Sequence, residues 1–201
     1  VKSPTKSITL HAADLRITAA ECTSGSKRLV GKVTYDTKAE TATMSFPSSV
    51  ARGKAVLHLE FEGVLSDKMR GFYRSRYTHK GAAHHMAVTQ FESTDARRAI
   101  PCFDEPALKA VFEVTLVVPD DRVAISNTIE TNVVPDEPGY KRITFAPSPL
   151  MSTYLLAFII GHFEKLEKKT KRGVLVRVFV TPGKLHQAAF ALKTAVRCID
   201  S

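Results

Sequence analysis

Between Val88 and Phe112 the chain reads V-T-Q-F-E-S-T-D-A-R-R-A-I-P-C-F-D-E-P-A-L-K-A-V-F, and Glu92, Asp95, Asp104 and Glu105 alternate there with Arg97, Arg98 and Lys109. A plain strand connection needs no such density of charge. Charged groups gathered on a loop over a rigid scaffold are where binding and catalysis concentrate. Two kinds of chemistry fit. The internal one pairs Arg97 and Arg98 with Asp104 and Glu105, holding an irregular loop in one backbone geometry, and it is the reading favoured for these four residues. The external one belongs to Gln90 and Glu92, two residues apart. In an extended segment both side chains point to the same side, flank Phe91 and can face one cleft.

Catalytic machinery is not evident. No H-E-x-x-H, G-x-S-x-G, G-x-x-x-x-G-K-[ST] or G-x-G-x-x-G occurs in the 201 residues, so no zinc pair, nucleophile elbow or phosphate loop is expected within them. His84 and His85 are adjacent, so a strand directs them to opposite sides, and neither has a carboxylate or cysteine at ligand spacing. Cys102, between Pro101 and Phe103, reads as a small packing residue rather than a nucleophile. The three cysteines, Cys22, Cys102 and Cys198, are odd in number and form no C-x-x-C pair. That pattern argues against a disulfide framework and fits a reducing compartment.

Composition narrows the partners. A hydrophobic share of 44% with 24% charged residues is that of a soluble globular chain rather than a disordered or membrane one. The 29 Lys and Arg exceed the 20 Asp and Glu, a net charge of +9, which raises the prospect of nucleic acid. The cations are scattered, however, and no basic stripe is interleaved with aromatics, so none is expected as a partner. The one dense run, Lys165 to Arg172, contains Glu167 and reads as the solvated tip of a hairpin. The strongest apolar run, Leu155 to Ile160, is far shorter than the ~20 residues a spanning helix needs, and V-K-S-P-T-K-S at the start is neither signal peptide nor anchor. A cytoplasmic protein without membrane partner is the expectation.

The elements that must position the charged loop are strands. Ala42, Met44 and Phe46 alternate with Thr43 and Ser45; Leu57, Leu59 and Phe61 alternate with His58, Glu60 and Glu62. The same period of two recurs over 112–118 and in Val174, Val176, Val178 and Val180, with further strands expected at 123–126, 141–145 and 153–163. Many short strands separated by turn signals predict an all-β, saddle-like antiparallel β-sandwich. Within 94–106 short helical turns capped by Thr94 and Asp104 and interrupted by Pro101 are expected. At the end, Leu185, Ala188, Ala189, Leu192, Val196 and Ile199 recur at helical spacing, with Thr181 as candidate N-cap and Pro182 in the first turn. The apolar face of that helix calls for a partner outside the chain. A domain boundary is therefore expected near Thr181, with 1–181 as the β-sandwich domain and 182–201 as the start of a second, truncated one.

The run T-Q-F-E-S-T-D-A-R-R-A-I-P-C-F-D-E-P-A-L-K-A-V-F, together with L-S-D-K-M-R-G-F-Y-R-S-R-Y at Leu65 to Tyr77 and P-L-M-S-T-Y-L-L-A-F-I-I-G-H-F at Pro149 to Phe163, resembles the N-terminal domain of zinc-dependent aminopeptidases of the aminopeptidase N and puromycin-sensitive type. Ile100 stands where that family often has Phe. The resemblance implies a saddle-like β-sandwich covering one side of the active site of a following thermolysin-like domain. It also implies that Gln90 lines the pocket for the first substrate side chain and that Glu92 helps hold the free α-amino group of a peptide. The zinc, its ligands, the G-A-M-E-N motif and the transition-state tyrosine belong in that family to the following domain, so the fragment alone is expected to be inactive and to bind no zinc. The alternative is a stand-alone β-sandwich interaction module without catalysis.

Overall fold

A computed structural model describes Val1 to Ser201, and its chain folds into antiparallel sheets with one long helix at the end. Two compact units emerge, each built from separated stretches of sequence. The first comprises residues 1–73, 89–112 and 147–157; the second comprises 74–88, 113–146 and 158–201.

In the first unit β1 (Thr5–His11), β4 (Lys32–Asp36) and β5 (Thr41–Val50) form a sheet in the order β1-β5-β4. A second sheet joins β2 (Leu15–Ser24), β3 (Lys27–Val30) and β6 (Val56–Gly63) in the order β3-β2-β6. The inward residues of both share one core: Leu10, Ile17, Cys22 and Leu29 are buried with Ala42, Met44, Phe46 and Val50. This is the sandwich the alternation predicts. Ala42, Met44 and Phe46, spaced by two on β5, are 0%, 0% and 5% exposed, because each second side chain of a strand meets the same face. Leu57 and Leu59 of β6 pack against that core. Phe61 does not and remains exposed; its partner Ile17 lies beside a register shift in β2, a bulge that interrupts the inward alternation there.

The second unit holds most of a four-stranded sheet in which β7 (Gly71–His79) and β8 (Ala82–Gln90) continue into β13 (Phe158–Gly161) and β10 (Val123–Ser126), in the order β10-β13-β8-β7. β7 begins and β8 ends in the first unit. β9 (Thr115–Pro119), β12 (Tyr140–Phe145) and β11 (Glu130–Pro135) make a further sheet in the order β11-β12-β9. Val118, Ile143 and Phe145 of this sheet share one core with Ala124 of β10. Phe112 to Val114, expected as part of the β9 strand, precedes it: the segment hydrogen-bonds to Phe145 and Ser148 without forming a continuous ladder.

The basic run Lys165 to Arg172, expected at a hairpin tip, lies mostly along β14 (Glu164–Lys169), which pairs with β15 (Leu175–Val180), and only 170–172 reach the turn. The helix α1 (Leu185–Asp200) packs on this hairpin and buries Ala188 and Leu192. Its last turn holds the tip: Asp200 accepts the N–H of Lys171 at 2.9 Å, and the carbonyl of Ile199 accepts from Arg172. A cation at the exposed carbonyls of a helix C-terminus is favoured by the helix dipole.

Two further expected elements form differently. The stretch 153–163 is not one strand: Thr153–Leu155 is a 3₁₀ turn ahead of β13 and β14. The Thr153 hydroxyl turns inward to donate to Asp104 at 2.8 Å, and that buried bond takes the backbone out of extension. Thr181 does not cap the helix, which starts after Lys184 with no side-chain cap. Gly183, at φ +84, sets a turn between Pro182 and the helix and gives its N–H to the Glu164 carboxylate at 3.0 Å, so the helical register cannot extend back to Thr181.

Candidate functional site

Strand β8 runs out at Gln90, and the chain turns sharply around Phe91, which is buried at 2% exposure. Gln90 and Glu92, on either side of it, are both exposed. The Gln90 amide donates to the Glu92 carbonyl at 3.5 Å. The Glu92–Ser93 peptide is cis. The Asp95 N–H then donates to the Phe91 carbonyl at 2.9 Å and closes the turn.

A 3₁₀ turn over Ala96–Arg98 follows, and its two arginines are 12% and 14% exposed at the side chain. Arg97 donates through Nε to Asp104 at 3.1 Å and through Nη1 to Glu40 at 3.3 Å. Arg98 donates to Asp95 at 2.9 Å, to Asp14 at 2.8 Å and to Glu40. Burial disfavours the charged guanidinium of Arg98, but the bonds from Asp95 and Glu40 and the charges of Glu40 and Asp14 outweigh it, so its pKa stands above the ordinary value. The Asp104 carboxylate, 1% exposed, accepts the Arg97 N–H at 3.2 Å and the Thr153 hydroxyl. Neither Thr94 nor Asp104 is an N-cap as expected: the turn's N-cap position is Asp95, with no side-chain cap bond, and Asp104 reaches the Arg97 N–H from downstream.

The internal reading of Arg97, Arg98 and Asp104 thus stands, with one correction: Glu105 pairs with neither arginine. It is half exposed, with a carboxylate oxygen 3.9 Å from His11 Nε2. Glu40 and Asp14 take its expected place. Nothing local in the sequence marks these two, since Glu40 sits in the connection between β4 and β5 and Asp14 just before β2; both lie at positive φ, +53 and +56. Across the turn, Gly71 at φ +67 leaves no room for a side chain: a Cβ there would come within 2.7 Å of the Arg98 Cβ.

Other candidates fall away from chemistry. Cys102 is partly buried, and its backbone pairs with His11. Burial, together with the charge of Asp104 and against that of Arg97, pushes its thiol up to about 12, the reverse of an activated nucleophile. His84 is half-buried and stacks on Tyr77, with ring centroids 5.4 Å apart, while His85 is exposed. No group of three or more His, Cys, Asp or Glu side chains is placed to hold a metal ion.

The carboxylates of the loop differ in how far they are engaged. Asp95 and Asp104 are occupied by arginines and Glu105 faces His11; the Glu92 carboxylate takes part in none of these pairs. An exposed amide and an exposed carboxylate thus stand on either side of a buried aromatic anchor.

Residues 1–155 match the family model described as Peptidase M1 N-terminal domain. The whole chain is similar to aminopeptidase M1 of Arabidopsis thaliana, 44% identical over 207 residues, and to the puromycin-sensitive aminopeptidase of Caenorhabditis elegans, 42% identical over 206. These alignments cover 100% of this chain but 23% and 22% of the two relatives. Aminopeptidase N of Acetobacter pasteurianus is 36% identical over 99% of this chain and 55% of its own length. With more than half its residues inside the family model and its sandwich formed from the sheets described above, the chain belongs to the peptidase M1 N-terminal domain family.

Proposed function

We propose that this chain is the substrate-recognition domain of a zinc-dependent aminopeptidase that removes N-terminal residues from peptides. Glu92 takes the free α-ammonium of the peptide, and Gln90 lines the pocket for the first side chain. The observation that carries this reading is the contrast within one loop. Asp95 and Asp104 are committed to arginines and Glu105 stands 3.9 Å from His11, whereas Glu92 is exposed beside Gln90 on a turn anchored by Phe91. A carboxylate ~4 Å from an ammonium in a partly desolvated cleft gains about 4 kcal/mol before desolvation. Such a contact rejects N-blocked peptides and so enforces cleavage after the first residue.

The residues of this chain do not fit the zinc site, since no cluster of three ligand-type side chains exists. In this proposal zinc and hydrolysis belong to a following domain, of which residues 182–201 are the opening. Unpaired Cys22, Cys102 and Cys198 support a cytoplasmic enzyme, and no helix is long and apolar enough to cross a membrane.

The test is Glu92→Ala in the full-length enzyme. Catalytic efficiency on unblocked peptides is expected to fall by about 10²-fold, while folding stability changes by no more than about 0.5 kcal/mol, as for other exposed positions. Equal efficiency in the two proteins removes Glu92 from the site.

A further inference from the structure

We infer that Glu40 is a positioning residue for amine recognition: through Arg98 its carboxylate holds the Phe91–Asp95 turn that presents Glu92. The inference rests on the assignment of Glu92 to the peptide amine.

The bonds of Arg97 to Asp104 and of Arg98 to Asp95 lie within the loop itself, so they shape it without fixing it to the sandwich. Backbone bonds to His11 and Ala13 tie part of the loop to the sandwich, and two carboxylates from outside the loop hold its arginine side chains, Asp14 and Glu40. Asp14 is 79% exposed at the side chain and reaches only Arg98. Solvent screens such a pair. Glu40 is 34% exposed and is shared, one oxygen accepting from Arg97 and the other from Arg98. Its own backbone is held, because the Ala12 N–H donates to the Glu40 carbonyl at 2.9 Å, and the next residue, Ala13, donates to the Arg97 carbonyl at 2.9 Å. Glu40 is therefore a fixed post to which both arginines are tied.

From that post a continuous path leads to the recognition residue. Arg98 Nε donates to the Asp95 carboxylate, the Asp95 N–H donates to the Phe91 carbonyl, and Glu92 is the next residue. The guanidinium has a planar fork, so one orientation serves Glu40 and Asp95 together. Removing the charge at Glu40 lets that fork turn toward Asp14 and solvent, which releases Asp95 and with it the turn. Glu92 then loses its prepared position, and binding of the free amine suffers even though no group that touches substrate has changed.

The experiment compares the full-length zinc enzyme with its Glu40→Gln, Glu92→Ala and double variants on a chromogenic aminoacyl substrate with a free amine. Glu40→Gln is expected to raise KM about tenfold with kcat held within about twofold, and to add less than about twofold when Glu92 is already Ala, because the two substitutions then remove one interaction. Arg98→Lys, which keeps the charge and loses the fork, is expected to reproduce the KM effect, and it serves as the decisive variant where Glu40→Gln protein does not fold. An unchanged KM in Glu40→Gln, with a raised KM in Glu92→Ala, overturns the positioning role and leaves the amine site standing. An equal rise in both backgrounds overturns it as well, since it marks a general packing effect. An unchanged KM in Glu92→Ala removes the amine site and the inference together.

Discussion

The thiol of Cys102 is protonated at any ordinary pH, because burial and the nearby negative charge of Asp104 push its pKa up to about 12 from 9.0, against the pull of Arg97. Raising a thiol pKa on folding favours the neutral form in the native state. The stability this contributes is fully present below pH 9.0 and is lost as pH rises toward 12. Urea unfolding is therefore expected to show a smaller loss of stability between pH 8 and pH 10.5 in Cys102→Ala than in the wild type; equal losses contradict the assignment. Thiol labelling at pH 8 is expected to modify the exposed Cys198 first. At this scale Cys102 was legible as a packing residue, and Gln90 and Glu92 as two polar residues flanking Phe91, whose burial the structure adds. Glu40 was not legible: its role depends on two arginines far along the chain, and an isolated glutamate in a strand connection carries no mark of them.

Single bonds decide whether an element forms as its pattern suggests. The strand β5 could be read from Ala42, Met44 and Phe46 because alternation and burial agree there. The stretch from Thr153 could not, because its apolar residues resemble a strand while Thr153 is drawn to a carboxylate distant in sequence. The 3₁₀ turn Thr153–Leu155 and the arginine turn Ala96–Arg98 are thereby joined through Asp104. Thr153→Val is expected to cost about 1–3 kcal/mol, the penalty for leaving one oxygen of a buried carboxylate short of a donor. Asp104→Ala is expected to cost about 3–5 kcal/mol, since it removes the acceptor of the Arg97 Nε, the Arg97 N–H and the Thr153 hydroxyl together and leaves the largely buried Arg97 with Glu40 as its only carboxylate partner. Chemical denaturation measures both, and a near-neutral Asp104→Ala contradicts the joining role. For the helix, its apolar face was visible in the sequence but its start was not, because Gly183 makes a separate turn ahead of it.

Across the whole chain the all-β class was legible because period-2 alternation recurs along most of its length, whereas the partition into two units was not, because each unit draws on stretches that no local signal links. The placement of ligand-type side chains makes a further prediction. The isolated chain, dialysed against zinc, is expected to retain none in stoichiometric amount, since no three such residues converge. One tightly bound equivalent by atomic absorption contradicts this.

The division of the first unit into 1–73, 89–112 and 147–157 also bears on the order in which the protein is made. When the ribosome has delivered Glu92, Thr153 is still unsynthesised, and Asp104 cannot gain its buried hydroxyl partner until that residue emerges. The buried cluster around Asp104 is thus completed only after residues 74–88 and 113–146 of the second unit have already left the exit tunnel.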